Sequence, residues 1–447
     1  MPHEHGHGGP SSAALVIPAP LRRRLTIIVI PVILATVVGL VVLWPHGRGP
    51  NLNLFTQSQK LTKGTVQSVL QSPCLGSPEG STADCQELEV RVHGGRDSGK
   101  TIKLEQGGGA GAVKLHVGDQ LVLGYTDQGG SRQYYFSDFN RDTPIILLFG
   151  LFGLAAVALG RWSGVRALAA LTMSLLALVW FVIPSVLRGN SPIEVAIVGS
   201  AFIMLVVLYV TGGINTRSTV AVLGTMASLI LIGALAWGFV VASHLTGLAD
   251  EDAVFLQAAA TSINLQGLLL GGIIIGSLGV LDDMTVTQVS AVWELRQANP
   301  SLGARALYRA AERIGRDHIA STVNTLVLAY AGASLPLMIF FTQSHLHFGQ
   351  IVTSEVIAVE VVRTLVGSIG LIASVPITTA LAAYVVTRGV GGEHVEADEK
   401  VHGRRGIVAA INDWREAAAS RAEARPKREW QAPKAERELW EDDDRPR

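Results

Sequence analysis

The sequence predicts an α-helical polytopic membrane protein of about eight transmembrane helices, with a small extracytoplasmic β-rich domain between helices 1 and 2. Three observations predict it. Of the 447 residues, 49% are hydrophobic and 16% are charged, against roughly a quarter charged in soluble chains. The apolar residues gather into eight runs, each near the roughly 20 residues that cross a bilayer as a helix. Most Arg residues fall at alternate connections between those runs, as expected where cytoplasmic loops hold positive charge.

Residues 1–24 form a Pro, Gly, Ser and His rich head. His3, His5 and His7 there read as a disordered, cytoplasmic polar tail rather than a metal site. Residues 25–44 are the first span. Arg22, Arg23 and Arg24 hold its N-terminal end inside, and Trp44-Pro45 is not a small-residue cleavage site, so it reads as an uncleaved anchor. Residues 45–143 are the only sizeable soluble unit expected, an extracytoplasmic β-rich domain. Short strands are expected over 64–70, 87–93, 100–106, 115–125 and 132–136. Alternation is clearest in Glu87-Leu88-Glu89-Val90-Arg91-Val92. Short strands in this number suggest a β-barrel-like unit, with an OB-fold as one candidate.

Both cysteines, Cys74 and Cys85, lie in this domain. Outside the cytoplasm they can close a disulfide across a Gly/Pro/Ser loop, and two separate thiols are the alternative. Gly94 to Thr101 matches the spacing of a phosphate-binding loop. A strand-like run, Ile102-Lys103-Leu104, follows it where the motif needs a helix, so it reads as a hairpin turn.

Residues 144–386 hold the remaining seven spans. They are expected at 144–160, 165–187, 193–210, 220–242, 265–292, 319–341 and 364–386. A charged segment, 294–318, carries Leu302, Ala306, Leu307, Ala310 and Ile314 at helical spacing, and is expected to lie amphipathically at the cytoplasmic interface. Residues 387–447 form a charged cytoplasmic tail. Eight crossings place both termini inside a cell (cytoplasmic) membrane, with Arg161, Arg217, Arg305 and Arg388 on the same side.

The informative site is Asp282-Asp283, the only charge between Asp252 and Glu294. Ionisable groups within spans usually face the bundle interior and mark ion or proton paths. Gly272, Gly276, Gly279, Asp283, Thr287 and Ser290 recur in steps of four and three, which predicts a close-packed glycine face holding Asp283. Burial disfavours a charged carboxylate and a second carboxylate adds repulsion, so such a pair suits proton exchange near neutral pH. The alternative is a carboxylate pair at the membrane edge. Glu360 and Arg363, three apart, and Thr322 and Asn324 are expected as intramembrane partners; Gly367 and Gly370 continue a second packing stripe. The zero formal net charge says nothing about a nucleic-acid partner; none is expected, and no H-E-x-x-H or G-x-S-x-G run points to an enzyme, a metal or a cofactor.

Several of these segments, in order, resemble the YibE/F-like membrane proteins. They are Gly64-Thr65-Val66, the Cys74/Cys85 pair, Tyr135 to Arg141, Gly276 to Asp283, Ile314 to His318 and Glu360 to Gly370. The resemblance spans about residues 25–390 and implies a fold outline rather than a mechanism. Val280 to Val286, followed by a basic amphipathic stretch and Ile319 to Thr322, is also similar to the fourth-to-fifth span region of proton-driven resistance–nodulation–division transporters. That similarity implies Asp282 and Asp283 as proton-relay residues. The expectation is a proton-coupled transporter or transport-associated protein with an undefined substrate. The alternative is a non-transporting scaffold that binds partners through its outside domain.

Overall fold

Alternating apolar residues build a five-stranded antiparallel sheet after the first helix. The computed structural model describes residues 18–46, 60–73, 84–107, 112–128, 131–249, 251–259, 263–343 and 347–389. The head before Pro18, the tail after Gly389 and Cys74 lie outside them. Helix α1 (Ala19–Val42) leads to strands β1 (Lys60–Pro73), β2 (Asp84–Val92), β3 (Thr101–Gln106), β4 (Gln120–Gln128) and β5 (Ser131–Phe139). The sheet order is β3-β2-β1-β4-β5. The inward residues Val66, Leu88, Val90, Leu104, Leu121 and Leu123 form its core, as the period-two pattern requires.

The five strands form a curled sheet, with no ladder between β3 and β5 among the described residues. The predicted strand 115–125 is shorter than expected. β4 begins at Gln120, and Leu115 precedes it in a loop, its N–H donating to the Gln86 side chain at 2.9 Å. Buried Cys85 sits in register with Ser72 on β1.

Gly94 to Thr101 is a hairpin connection that opens strand β3. Its Asp97 accepts hydrogen bonds from Lys100 Nζ (2.7 Å), Arg132 Nη1 (3.0 Å) and Tyr134 Oη (2.8 Å), tying this turn to β5. Lys100 first, then Tyr134, holds the Asp97 carboxyl at about 2, below its ordinary 3.8. An ion pair from Lys63 to Asp142 joins the sheet to the helix that follows.

Helices α2 (Asp142–Gly160) and α3 (Trp162–Ala177) come next, and α3 continues through a π-helical turn into α4 (Ile183–Leu187). Then follow α5 (Pro192–Gly212), α6 (Thr216–Ala242), the short α7 (Glu251–Ala259) and α8 (Leu265–Ala298). After them come α9 (Ala304–Ala333), α10 (Leu335–Thr342), α11 (Phe348–Val352) and α12 (Glu355–Gly389). Asn215 and Asn264 start α6 and α8 by accepting the backbone N–H three residues on, the usual work of an N-cap.

Seven of these helical segments, counting α3 to α4 as one, are long and apolar enough to cross a membrane. The pair α9–α10, bent by 63°, makes an eighth if it is one span. Seven of the eight predicted runs lie on such a segment, and the remaining one, 319–341, is divided between α9 and α10. The charged segment 294–318 is not a separate interfacial helix. It is divided between the end of α8, a turn at 299–303 and the first half of α9. Arg296 closes that turn by donating to the Leu302 carbonyl at 2.6 Å. The buried residues of this half of α9 are Leu307, Ala311 and Gly315, while Ile314 is exposed. Close packing against α8 and α12, rather than the widest apolar stripe, selects that face.

Candidate functional site

Helices α6, α8 and α12 pack on one another pairwise at the centre of the bundle. Their register follows from side-chain contacts. A Cβ at Gly367 would lie 3.5 Å from Ser277 Oγ, and Thr379 Oγ1 donates to Gln288 Oε1 at 2.9 Å. α8 and α12 therefore run parallel. On α6, Thr225 shares a 2.7 Å hydrogen bond with Thr285, and Ile274 approaches Gly233, so α6 runs antiparallel to both.

These contacts bracket Asp282 opposite the neighbourhood of Ser228 on α6 and Ile372 on α12. Asp282 is 17 residues past Leu265 and 16 before Ala298. Ser228 and Ile372 are likewise near the middle of their helices. At 1.5 Å per residue, about 25 Å of helix extends on either side of Asp282. The carboxyl thus lies at mid-length of all three central helices, not at an end.

Asp282 is only 8% exposed, and its Oδ1 has no hydrogen-bond partner among the described residues. A buried carboxyl oxygen without a hydrogen-bond partner is costly, and the fold leaves one here. Four hydrogen-bonding residues lie on the buried faces of these helices within two turns of this level. Thr285 pairs with Thr225 and donates to the Asp282 carbonyl at 3.3 Å, and Gln288 is held by Thr379. Gly315 of α9 closes over Gln288, because a Cβ there would lie 2.5 Å from Gln288 Nε2. The available signal was Gln288 itself, since an amide in an apolar helix needs a partner.

The predicted face of α8 is reversed. Gly272, Gly276, Gly279 and Asp283 are all exposed, and a Cβ at Gly272 or Gly279 would meet nothing within 4 Å. The buried face carries Ser277, Leu278, Leu281, Asp282, Thr285 and Gln288. Helical spacing identified two stripes without ranking them. Association in lipid rewards side-chain contact and hydrogen bonding, and the face with interlocking polar groups supplies both.

The second stripe does pack inward. Gly367 is buried, and Gly370 lies so close to Ile232 that a Cβ would approach its Cγ1 to 2.1 Å. The expected intramembrane partners do not reach the carboxylates. Arg363 Nη1 donates to Glu360 at 2.6 Å, nearer the start of α12. Thr322 bonds the His318 carbonyl of its own helix, and Asn324 is exposed. No group of three His, Cys, Asp or Glu suited to a metal occurs among the described residues.

A family model described as YibE/F-like protein matches residues 148–388, more than half of the chain. The chain belongs to the YibE/F-like family. The match takes in the helices from α2 to α12, and with them Asp282, Gln288 and Thr379. Of the resembling segments, Gly276 to Asp283, Ile314 to His318 and Glu360 to Gly370 fall inside the YibE/F-like region, whereas the β-domain segments precede it. No curated protein and no solved structure matches the chain significantly.

Proposed function

We propose that this YibE/F-like protein is a proton-coupled transporter, or the proton-driven member of a transport assembly, in which Asp282 binds the proton. The observation that carries the reading is a buried carboxyl, without a partner for Oδ1, at mid-length of three mutually packed helices of membrane-spanning length. Ionisable groups in such positions are costly, and proton relays are among the uses that retain them. In this reading the chain crosses the cytoplasmic membrane eight times, α9–α10 being one bent span. Both termini are cytoplasmic, and the β-domain lies outside, where Cys74 and Cys85 form a disulfide and the sheet receives or gates substrate.

Asp283, on the outward face, is the lesser member of the carboxylate pair. The test is proton flux through purified protein in proteoliposomes under an imposed pH gradient, followed with an internal pH-sensitive dye. Wild-type protein dissipates the gradient and Asp282→Asn does not; equal rates for the two would refute the reading.

A second reading, a scaffold for another membrane protein, is favoured by α2. None of its residues is buried. A stoichiometric partner in purified material, together with no flux by the reconstituted protein, would support it.

A further inference from the structure

Helix α1 touches the bundle near both of its ends and stands off it in between. Towards its start, Leu25 and Val29 join an apolar cluster with Met204 and Leu208 of α5. Towards its end, a Cβ at Gly39 would lie 2.6 Å from Val198 Cγ2. Between these contacts lies a cavity of about 560 Å³, walled by α1, α5, α6 and α8. Small residues leave it open: Ala35 on α1, Ala201 on α5, Gly233 and Ala234 on α6.

Its chemistry does not suit water. Among the lining residues, only Thr36 and Trp237 carry a side-chain O–H or N–H. Thr36 Oγ1 already donates to the Val32 carbonyl at 2.8 Å. Apolar cavities stay dry and take apolar ligands. At the rim, Ile197, Ile230 and Trp237 are 53%, 66% and 62% exposed, so the cavity opens sideways between helices of membrane-spanning length. Hydrocarbon is the medium at such an opening.

The depth matches one leaflet. On α5 the lining runs from Ile193 to Met204, and on α6 from Trp237 back to Met226, eleven residues in each case. These helices are antiparallel, joined by a short turn beside which Tyr209 Oη lies 3.4 Å from Thr219 Oγ1. The two stretches therefore coincide. Eleven residues of helix span about 16 Å, roughly half of a hydrocarbon core about 30 Å thick. Ile193 is in the first turn of α5, and Trp237 is five residues before the end of α6. The cavity thus runs from one membrane surface towards the midplane. That surface faces the β-domain, because Asn190, two residues before α5, donates to the Leu43 carbonyl at the end of α1 at 3.2 Å.

A charge stands over the mouth. Glu194 is the only charged residue of α5. It is exposed and has no ion-pair partner among the described residues. It precedes Ile197 and Val198 by three and four residues, so it shares their face of the helix, one turn nearer the surface.

We propose that this cavity seats one acyl chain of a phospholipid from the leaflet on the β-domain side, and that Glu194 selects an amine headgroup. In the orientation proposed above this is the outer leaflet. The site does not depend on the proton reading.

The experiment has two arms. In the first, the protein is reconstituted with a phosphatidylethanolamine bearing a diazirine on its acyl chain, extracted with increasing detergent and irradiated, and the adducts are mapped by mass spectrometry. Helix α2, none of whose residues is buried, reports ordinary boundary lipid. Adducts within 193–204 and 226–237 are expected to persist after those on α2 are lost. Loss of both together would overturn the site and leave boundary lipid only. Adducts on α2 alone would overturn it in favour of a protein segment, such as a helix of a second copy.

The second arm is native mass spectrometry with phosphatidylethanolamine and phosphatidylglycerol of identical chains. Wild-type protein binds the amine lipid about threefold more tightly, the effect of one exposed ion pair. Glu194→Gln equalises the two lipids and still retains them. Equal binding by wild-type protein, or a preference unchanged by Glu194→Gln, would overturn the headgroup assignment.

Discussion

The two faces of α8 are built from different materials, and the difference separates two adjacent carboxylates. One face carries glycines and Asp283 and touches little. The other interlocks with α6 and α12 through large apolar side chains and the Thr225–Thr285 and Gln288–Thr379 hydrogen bonds. Asp282 belongs to the second face. A residue's neighbour in sequence is about 100° away on a helix, so one position decides between an interior site and an exposed one. Glycine recurrence is therefore a weak guide to which side of a helix is buried.

The largest expected effect breaks this comparison directly. Asp282→Asn lowers proton flux in proteoliposomes by about 100-fold, within the range typical for loss of a positioned proton-transfer group. Asp283→Asn retains at least about half. Equal losses would mean that the two faces do not differ in the way the packing indicates.

The next effect sharpens it in stability. Gly370→Ala forces a methyl against Ile232 and costs about 1–3 kcal/mol, the usual range for overpacking. Gly272→Ala meets open space and is neutral or mildly stabilising, because alanine favours helix. Thermal unfolding in detergent by tryptophan fluorescence compares the two.

Smaller again is Thr225→Val, which removes the hydroxyl facing Thr285 and costs about 0.5–1.5 kcal/mol in the same assay. A destabilisation no greater than that of a surface substitution would argue that the α6–α8 bond does not hold the site together.

The smallest effect lies outside the bundle. Asp97 is held at about 2 in the folded β-domain, below its ordinary 3.8. A depressed carboxyl stabilises the fold above its unfolded value, and that contribution disappears as pH falls from about 4 to about 2. Hydrogen exchange of the β3 amides should accelerate across that window, and Asp97→Asn should remove the pH dependence. The bundle amides should not follow the same titration.

Much of the fold was legible because its signals are local. Eight apolar runs and the Leu88-Glu89-Val90-Arg91-Val92 alternation follow from short-range periodicity, and helices and a sheet stand where those patterns lie. Asn215 and Asn264 begin their helices through bonds that reach only three residues. The break at 299–303 is not visible in apolar spacing, because Leu302 keeps helical spacing with Ala306; it depends on the bond from Arg296 to the Leu302 carbonyl.

By itself, the sequence determined that this is a chain of membrane-length helices with one β-rich insertion and a rare carboxylate pair in the sixth apolar run. Those properties depend on composition and period. Only the tertiary structure decided that Asp282, not Asp283, is interior, and that Thr285 and Gln288 are buried with it on α8. The reason is physical: a helix presents several faces of similar small-residue content, and lipid is as apolar as the core. Which face turns inward is settled by steric fit and hydrogen bonds to residues 60 to 91 positions away in the chain.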